Sequence, residues 1–279
     1  MELSGTTRLL GVVGHPVSHT LSPRMHNASF AATGLDYVYL ALDVRPEDLP
    51  AAVNGLRALG FRGFNVTMPH KEAILPLLDG LDEVAALAGA VNTAVVGEDG
   101  LRGTNTDGSG FVEACREAGV GLEGARVLLV GAGGAAASIA GAVLAEGARE
   151  LRVLNRSRWR AAKLRERLGR AYPGAGISVH DATNPEGPLR GADVIVNATY
   201  LGMKPEDPLP VPIGPLGTNA AVCDAAYVPG GETAFIRLAR ERGLTAVPGE
   251  RMLLYQGAQA QRIWTGKEPD VGAMSAALS

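Results

Sequence analysis

Residues 126–136, RVLLVGAGGAA, form the stretch that decides the fold, and an alanine-rich segment ending at Gly147 follows them. The leucine and β-branched run predicts a buried strand, the glycines predict a turn, and the alanines predict a helix. Gly131 allows the tight turn and Gly133 lets the backbone approach a pyrophosphate. Ala136 takes the third small position of the G-x-G-x-x-[GA] pattern. The stretch therefore predicts a dinucleotide site, with phosphates held by N–H groups at the helix start.

The same region tests a membrane interpretation. Val127 to Ala145 carries no charged residue over 19 positions, close to the length of a bilayer-spanning helix. The glycine cluster would interrupt such a helix, so strand, turn and helix in a globular domain is the better interpretation. We expect no membrane partner.

Short apolar runs alternate with helical patterns on both sides of this stretch. Residues 8–14, 37–44 and 61–68 are predicted strands, with helices predicted at 22–34, 46–60 and 71–78. This order predicts a parallel sheet covered by helices, closed by a hairpin that turns between Gly97 and Gly100. A second series of six predicted strands begins at Arg126. The architecture is thus α/β with two lobes in series and a boundary near residue 107.

Composition limits the possible partners and compartment. The 279 residues carry a net charge of −3, which argues against nucleic acid or an anionic membrane as the main partner. Cys115 and Cys223 are too few for a disulfide framework or a thiolate metal site, so a reducing, cytoplasmic compartment is expected. The first residues also lack the pattern of a signal peptide. We predict no metal, a small-molecule substrate, and a monomer or homodimer.

The end of the second strand of the dinucleotide unit selects the cofactor. An NAD site would place an acid there for the ribose hydroxyls, whereas this chain has NRSRWR at 155–160 and no acid until Glu166. Arginines at that position suit a 2′-phosphate. Basic residues are also unfavourable at a helix N-terminus unless an anion binds there. We therefore expect NADP, although Arg158 could be only a solvated surface charge.

Three groups could supply the acid or base that alcohol oxidation requires. Tyr200 and Lys204 have the Tyr-x-x-x-Lys spacing of short-chain dehydrogenases, but Gly202 interrupts the helix that this motif needs. A histidine group has no neighbouring acid or thiol to complete a metal shell; its members are His15, His19 and His26. Lys71 and Asp107 both fall at predicted strand ends, where α/β proteins place their sites. From spacing alone, Asp107 could equally be a helix N-cap.

Taken together, the motifs resemble the shikimate dehydrogenase family from end to end and in order. The matching segments are Gly14–Pro23 (GHPVSHTLSP), Asn65–Lys71 (NVTMPHK), Gly89–Thr93 (GAVNT), Asn105–Gly108 (NTDG), Gly131–Ala135, Asn155–Arg160, Asn197–Thr199, Asp224–Tyr227, and Gly249 through Gln256.

The resemblance implies reversible, NADPH-dependent reduction of 3-dehydroshikimate to shikimate, with Lys71 and Asp107 as a coupled acid/base pair. It also implies a substrate domain at 1–107, completed by 250–279, a Rossmann-type NADP domain at 108–249, and a cleft between them. Thr20 and Ser22 would hold the substrate carboxylate with help from Tyr227. The residues implied to contact the ring hydroxyls are Thr67, Asn92, Asp107 and Gln256. The residues implied to bind the cofactor are Gly131, Ala132, Gly133, Gly134, Ala135, Asn155, Arg156, Ser157, Arg160, Thr199, Ala225 and Gly249.

Three departures from the family pattern leave the substrate range open. Thr20 replaces a serine, Tyr200 stands where a serine is common, and Gln261 replaces an aromatic residue. A quinate/shikimate dehydrogenase of broader range is therefore the alternative enzyme. A ligand sensor that has lost turnover is disfavoured, because binding alone would not require both Lys71 and Asp107.

Overall fold

The computed structural model describes residues 3–204 and 206–278; Met1, Glu2, Pro205 and Ser279 lie outside the described residues. The chain divides into two compact units, one formed by Met1–Thr106 with Leu254–Ser279 and the other by Asp107–Leu253. None of the helices within the described ranges has the length and apolar character needed to cross a membrane.

The first unit is built on a six-stranded mixed sheet. In chain order its elements are β1 (Arg8–Gly14), α1 (Ser22–Thr33), β2 (Tyr37–Asp43), α2 (Leu49–Ala58), β3 (Gly63–Val66), α3 (His70–Ala73), β4 (Gly80–Leu81), α4 (Glu83–Ala88), β5 (Thr93–Gly97) and β6 (Gly100–Thr104). The strand order is β2-β1-β3-β5-β6-β4. β1 pairs parallel with β2 and β3, as the alternating pattern predicts, and Gly97 faces Gly100 in the hairpin. β5 pairs antiparallel with β3 and with β6, whereas β4 pairs parallel with β6, so the sheet is mixed; the predicted parallel βαβαβ unit corresponds to β1, β2 and β3.

The segment at 71–78 differs from the predicted helix. α3 spans only four residues and is followed by a 3-10 turn at Leu75–Leu77. The two-residue β4 and the six-residue α4 were not predicted from the sequence pattern. Such short elements bury too few side chains to leave a periodic pattern.

The second unit is a six-stranded parallel sheet. Its elements are α5 (Asp107–Glu117), β7 (Arg126–Val130), α6 (Gly134–Ala145), β8 (Glu150–Asn155), α7 (Arg158–Ala171), β9 (Gly176–Asp181), α8 (Glu186–Leu189), β10 (Val194–Asn197), β11 (Ala221–Asp224), α9 (Ala234–Glu241), β12 (Thr245–Val247) and α10 (Gly249–Thr265). The order β12-β11-β10-β7-β8-β9 is the doubly wound arrangement, in which ligands bind beyond the carboxyl ends of the strands.

α10 carries the chain into the first unit, where α11 (Val271–Ala276) follows it. Trp264 of α10 is fully buried there and its indole donates to the Ala94 carbonyl at 2.9 Å. A Cβ at Gly63 would lie 2.3 Å from that indole nitrogen. Glycine at this position therefore lets the last long helix pack directly on the first sheet.

Candidate functional site

The first unit brings the predicted carboxylate-binding loop and Thr67 to neighbouring strand ends. β1 ends at Gly14, and a Cβ there would lie 2.3 Å from the Thr67 methyl group, so the loop that follows β1 lies against Thr67. Within that loop the Thr20 hydroxyl donates to the Ser22 hydroxyl at 3.2 Å. The end of β1 thus lies against Thr67, and the loop that follows pairs two short hydroxyl side chains.

Asn92 has the most closely constrained side chain of the predicted substrate residues. Its Oδ1 accepts the Thr106 backbone N–H and the Thr93 hydroxyl, both at 2.8 Å. Its Nδ2 donates to Gln256 Oε1 at 3.2 Å. Because a backbone N–H can only donate, the bond from Thr106 fixes the positions of the Asn92 amide oxygen and nitrogen. Gln256 is then oriented too, with Oε1 toward Asn92 and Nε2 as its donor end.

Lys71 lies in the same part of the unit. Its carbonyl accepts the backbone N–H of Val91 at 2.8 Å, and Val91 directly precedes Asn92. The side chain is half-buried. Because α3 is a single turn, the conflict between a cation and a helix dipole that the sequence suggested carries little weight here.

Sequence reasoning missed a buried polar chain behind Asn92. The Tyr39 hydroxyl donates to Asn65 Oδ1 at 2.5 Å, and Asn65 Nδ2 donates to the Thr93 hydroxyl at 3.0 Å. Thr93 in turn donates to Asn92. Asn65 is 6% exposed and Tyr39 1%. A polar residue inside the apolar β3 run was the available signal, since buried amides need partners.

The second unit begins with Asp107, the first residue of α5, which is 4% exposed. The N–H of the next residue, Gly108, donates to the Ser138 hydroxyl on α6 at 2.9 Å. A Cβ on Gly108 would lie 2.5 Å from the Ser138 carbonyl, so this glycine allows α5 to begin in contact with α6.

The glycine turn after β7 fits a phosphate group. Gly131 has φ +119°, a conformation that favours glycine, and a Cβ there would lie 2.8 Å from the Ala198 carbonyl oxygen. Gly133 is the N-cap of α6, with extended backbone, no side-chain cap and open space where a Cβ would stand. No acidic residue occupies the first turn. The uncapped N–H groups of Gly134 and its neighbours, which include Ala132 and Ala135, can therefore face an anion.

The arginine segment after β8 fits a second anionic group. Arg156 and Arg160 are exposed, and the Arg160 guanidinium lies 5.4 Å from the ring centroid of Trp159. Asn155 Nδ2 donates to the Ser157 carbonyl at 2.9 Å. Among the described residues the buried Ser157 hydroxyl finds no hydrogen-bond partner. An anion at this turn would offset both the cations at the start of α7 and the unsatisfied hydroxyl.

Arg158 lies near the carboxylate of Asp181. Hydrogen bonds from the Thr183 N–H and hydroxyl hold the pKa of Asp181 below its usual range, and the charge of Arg158 adds to this effect. The structure therefore gives a physical reason for treating Arg158 as a surface charge.

The remaining predicted cofactor residues follow β10 and β11. Thr199 donates its hydroxyl to Asn197 Oδ1 at 2.6 Å, and Ala225 and Tyr227 follow the end of β11. A Cβ on Gly249 would lie 2.2 Å from the Ala226 carbonyl oxygen, so only glycine lets α10 begin in this position.

The other candidates for acid/base chemistry, the Tyr200–Lys204 pair and the histidines, lie in different parts of the fold. Tyr200 and Lys204 lie in turns, not on a helix. His15 pairs with Asp43 at 2.8 Å and His26 contacts Gln261 at 3.3 Å. Across residues 3–204 and 206–278, no cluster of three or more His, Cys, Asp or Glu side chains could hold a metal ion.

Family models and relatives agree on the identity of the fold. Residues 12–94 match the shikimate dehydrogenase substrate binding domain, residues 113–202 match shikimate/quinate 5-dehydrogenase, and residues 249–278 match the shikimate 5′-dehydrogenase C-terminal domain. The chain is 61% identical to shikimate dehydrogenase (NADP(+)) of Rubrobacter xylanophilus, over 100% of this chain and 98% of that protein.

Two solved structures extend the comparison. Shikimate 5-dehydrogenase of Thermus thermophilus in complex with NADP(H) and shikimate has a TM-score of 0.86 and 38% identity, covering 97% of this chain and 98% of that one. Quinate dehydrogenase of Corynebacterium glutamicum in complex with NAD has a TM-score of 0.88 and 35% identity, covering 97% and 98%. The chain belongs to the shikimate dehydrogenase family.

Proposed function

We propose that this chain catalyses the reversible, NADPH-dependent reduction of 3-dehydroshikimate to shikimate, a step of aromatic amino acid biosynthesis. The observation that carries the proposal is the full-length, 61% identical relative named for this NADP-dependent activity. The oriented amides of Asn92 and Gln256 and the hydroxyls of Thr20 and Ser22 provide the pattern of donors and acceptors that a polyol acid needs.

In this proposal each unit has a distinct task. Unit 1 binds the substrate, with Thr20 and Ser22 on its carboxylate and Thr67, Asn92 and Gln256 on its hydroxyls. The second unit binds NADP through the glycine turn at 131–135 and the arginine segment at 155–160. NADP, when bound, donates or accepts the hydride.

Lys71 and Asp107 would transfer the proton at the reacting oxygen. Lys71 is tied through its carbonyl to Val91, and Thr106, the residue before Asp107, is tied through its N–H to Asn92. Both groups are therefore connected through the backbone to the residue that we assign to the substrate hydroxyls. The proton belongs to the coupled pair and is not assigned to one member.

The test compares NADP+ reduction with shikimate and with quinate in the wild-type chain and in Lys71→Ala. We expect shikimate to be preferred and Lys71→Ala to lose kcat by about 100-fold or more, with a smaller change in substrate binding. Equal efficiency with quinate would favour the broader-range enzyme. Normal turnover by Lys71→Ala would refute the acid/base assignment.

Compartment and assembly are proposals of the same kind. Cys115 and Cys223 are free and buried with their sulfurs 4.0 Å apart, which fits a reducing compartment such as the cytoplasm. A monomer or homodimer is the proposed assembly, and light scattering on the purified protein distinguishes the two.

A further inference from the structure

Two polar residues face each other at the carboxyl ends of adjacent strands in the second unit. Asn197 ends β10 and Asp224 ends β11, and the two are partners in the parallel register. Their side chains are 0% and 2% exposed. Asn197 Nδ2 donates to Asp224 Oδ1 at 2.8 Å. A carboxylate buried to this degree has a large desolvation cost, so its hydrogen bonds need an explanation.

The other bonds of this pair all go to the segments that follow the two strands. Asn197 Oδ1 accepts the Thr199 N–H at 3.1 Å and the Thr199 hydroxyl at 2.6 Å, and Asn197 Nδ2 also reaches the Leu201 carbonyl at 3.0 Å. Asp224 Oδ1 accepts the Ala226 N–H at 2.9 Å. The Asn197 amide and the Asp224 carboxylate thus hydrogen-bond to both the loop after β10 and the loop after β11.

Asp224 also fixes the start of α9. Its Oδ2 accepts the hydroxyl of Thr233 at 2.7 Å. Thr233 is the N-cap of α9, and the same hydroxyl accepts the Ile236 N–H. The carboxylate therefore orients a capping hydroxyl, so the helix and the loop after β11 move together.

Close backbone packing limits the same loops from their other sides. The loop after β10 touches the phosphate turn, since a Cβ on Gly131 would lie 2.8 Å from the Ala198 carbonyl oxygen. The loop after β11 touches the start of α10, since a Cβ on Gly249 would lie 2.2 Å from the Ala226 carbonyl oxygen. These close contacts and the hydrogen bonds of the Asn197–Asp224 pair therefore hold the same two loops from different sides.

We propose that Asp224, acting through Asn197 and Thr233, is a positioning residue for hydride transfer: it fixes the loops that carry Thr199, Ala225 and Tyr227. This inference rests on the proposed function, which assigns those three residues to cofactor and substrate. Misplacing a reacting group by about 1 Å can cost about 100-fold in rate. Most residues that we assign to the cofactor lie in the glycine turn at 131–135 and the arginine segment at 155–160, which are not part of the two loops, so cofactor affinity should depend less on Asp224 than hydride transfer does.

The electrostatic surroundings make this positioning dependent on pH. Burial raises the pKa of Asp224 to about 6, against the lowering effect of its bonds from Thr233, Ala226 and Asn197. Glu250, at the start of α10, raises it further, and burial also raises the pKa of Glu250 itself, which faces the charge of Arg240. On β11, a hydrogen bond with Cys115 and burial raise the pKa of the Cys223 thiol, which stays neutral.

Protonation of Asp224 turns one accepting oxygen into a donor. Protonation of Oδ1 removes the acceptor of the Ala226 and Asn197 N–H groups, and protonation of Oδ2 requires the Thr233 hydroxyl to reverse its bond and accept. Below the pKa, the bonds to Thr233 or to Ala226 and Asn197 are therefore weakened. Turnover that depends on these bonds should fall as the pH falls through about 6. A structural carboxylate without this role would leave the pH profile of kcat unchanged.

The experiment measures kcat, KM for shikimate, and the dissociation constant of NADP+ across pH, for wild type and Asp224→Asn. Asparagine keeps one accepting oxygen, but its Nδ2 can only donate to the Thr233 hydroxyl, so the bond to Thr233 is reversed. We expect plateau kcat to fall about tenfold or more and the acid limb near pH 6 to disappear. NADP+ affinity should change by less than about threefold.

Asp193→Asn is the matched control. Asp193 is also a carboxylate of the second unit, but it precedes β10 at the opposite strand end and pairs with Arg126. This variant should lose stability without losing kcat per folded molecule. Equal kcat losses in Asp193→Asn and Asp224→Asn would overturn the proposal, as would a wild-type pH profile in Asp224→Asn.

Two further variants keep the proposal testable if Asp224→Asn does not fold. Thr233→Ala removes a hydrogen bond that lowers the pKa of Asp224, so the acid limb of the pH profile should move to higher pH. If both the acid limb and kcat stay at the wild-type values, the proposal is overturned. Glu250→Gln removes a neighbouring negative charge, so the limb should move to lower pH; an unmoved limb means that another group titrates. If the wild-type chain does not oxidise shikimate with NADP+, the proposed function fails instead.

Discussion

The arginine segment gives the sharpest test of cofactor recognition. Arg160→Ala and Arg156→Ala each remove an exposed cation that we assign to the 2′-phosphate, whereas Arg158→Ala removes a cation that lies near Asp181. All three changes alter the net charge equally; Arg156 directly precedes the N-cap of α7, and Arg158 and Arg160 lie in its first turn. Arg158→Ala is therefore the matched control, because it removes the same charge from the same segment but is not assigned to the phosphate.

The expected magnitude follows from the type of bond. A hydrogen bond to a charged group contributes about 1.5–3 kcal/mol, and the lower end applies because these side chains are exposed and screened. About 1.4 kcal/mol corresponds to a factor of ten. Each assigned arginine should therefore contribute about tenfold to NADP+ affinity, and the double variant should lose more than either single variant. NAD+ lacks the phosphate, so its affinity should hardly change.

The assay uses the two tryptophans of the chain. Trp159 is 66% exposed beside Arg160, while Trp264 is 1% exposed in the core of the first unit. Quenching of tryptophan fluorescence on titration with NADP+ or NAD+ should therefore report on Trp159, and a Trp159→Phe variant confirms the source. If Arg158→Ala weakens NADP+ as much as Arg160→Ala, or if NAD+ weakens in parallel, the arginines act only through net charge and the reasoning is refuted.

Three further outcomes test the structure of the first unit. Tyr39→Phe removes the hydroxyl that donates to Asn65. Because a net hydrogen bond contributes about 1 kcal/mol, kcat/KM for shikimate should fall about fivefold, with NADP+ binding unchanged. No change in kcat/KM would show that the hydrogen-bonded chain behind Asn92 is only structural. Gly63→Ala places a methyl group 2.3 Å from the buried indole nitrogen of Trp264, so thermal unfolding should show that the free energy of unfolding falls by about 2–4 kcal/mol. The control is Gly55→Ala, which adds a methyl group to a helix where nothing lies within 4 Å; it should leave the stability unchanged or raise it. Burial lowers the pKa of His26 from 6.5 to about 4. Between these two pH values the imidazole of His26 is therefore protonated in the unfolded chain but neutral in the folded one. The free energy of unfolding should then fall by up to about 3 kcal/mol as the pH drops through that window, and denaturant titrations of His26→Gln should show a shallower fall; an equally steep fall would refute the assignment.

Much of the fold could be predicted because its strands and helices carry their own signals. The apolar run at Val127–Val130, buried throughout, and the glycine turn after it are local features, and the structure confirms both. The six parallel strands of the second unit follow from the same kind of pattern. The α/β fold with its two units and the family of the chain were therefore predicted correctly from sequence.

The short elements of the first unit were beyond such reasoning. α3 spans four residues where a longer helix was predicted, and β4 and α4 were not predicted at all. β4 forms by pairing with β6, and α4 begins at the Asp82 cap, whose Oδ1 accepts the Ala85 N–H at 2.8 Å. Gln261, noted as a departure from the family pattern, proves to be a buried partner of Ser29 at 2.8 Å.

The amino-acid sequence by itself determined which chemical groups the chain offers and the order in which they occur, because apolar periodicity, glycine turns and motifs are local. Tertiary structure alone decided which groups meet: Asn92 with Gln256, 164 positions away, and Asn197 with Asp224 across two strands. The physical reason is that sheet register and helix packing bring distant residues within hydrogen-bond distance. Burial then orients an amide or raises the pKa of a carboxyl, and neither effect exists in the unfolded chain.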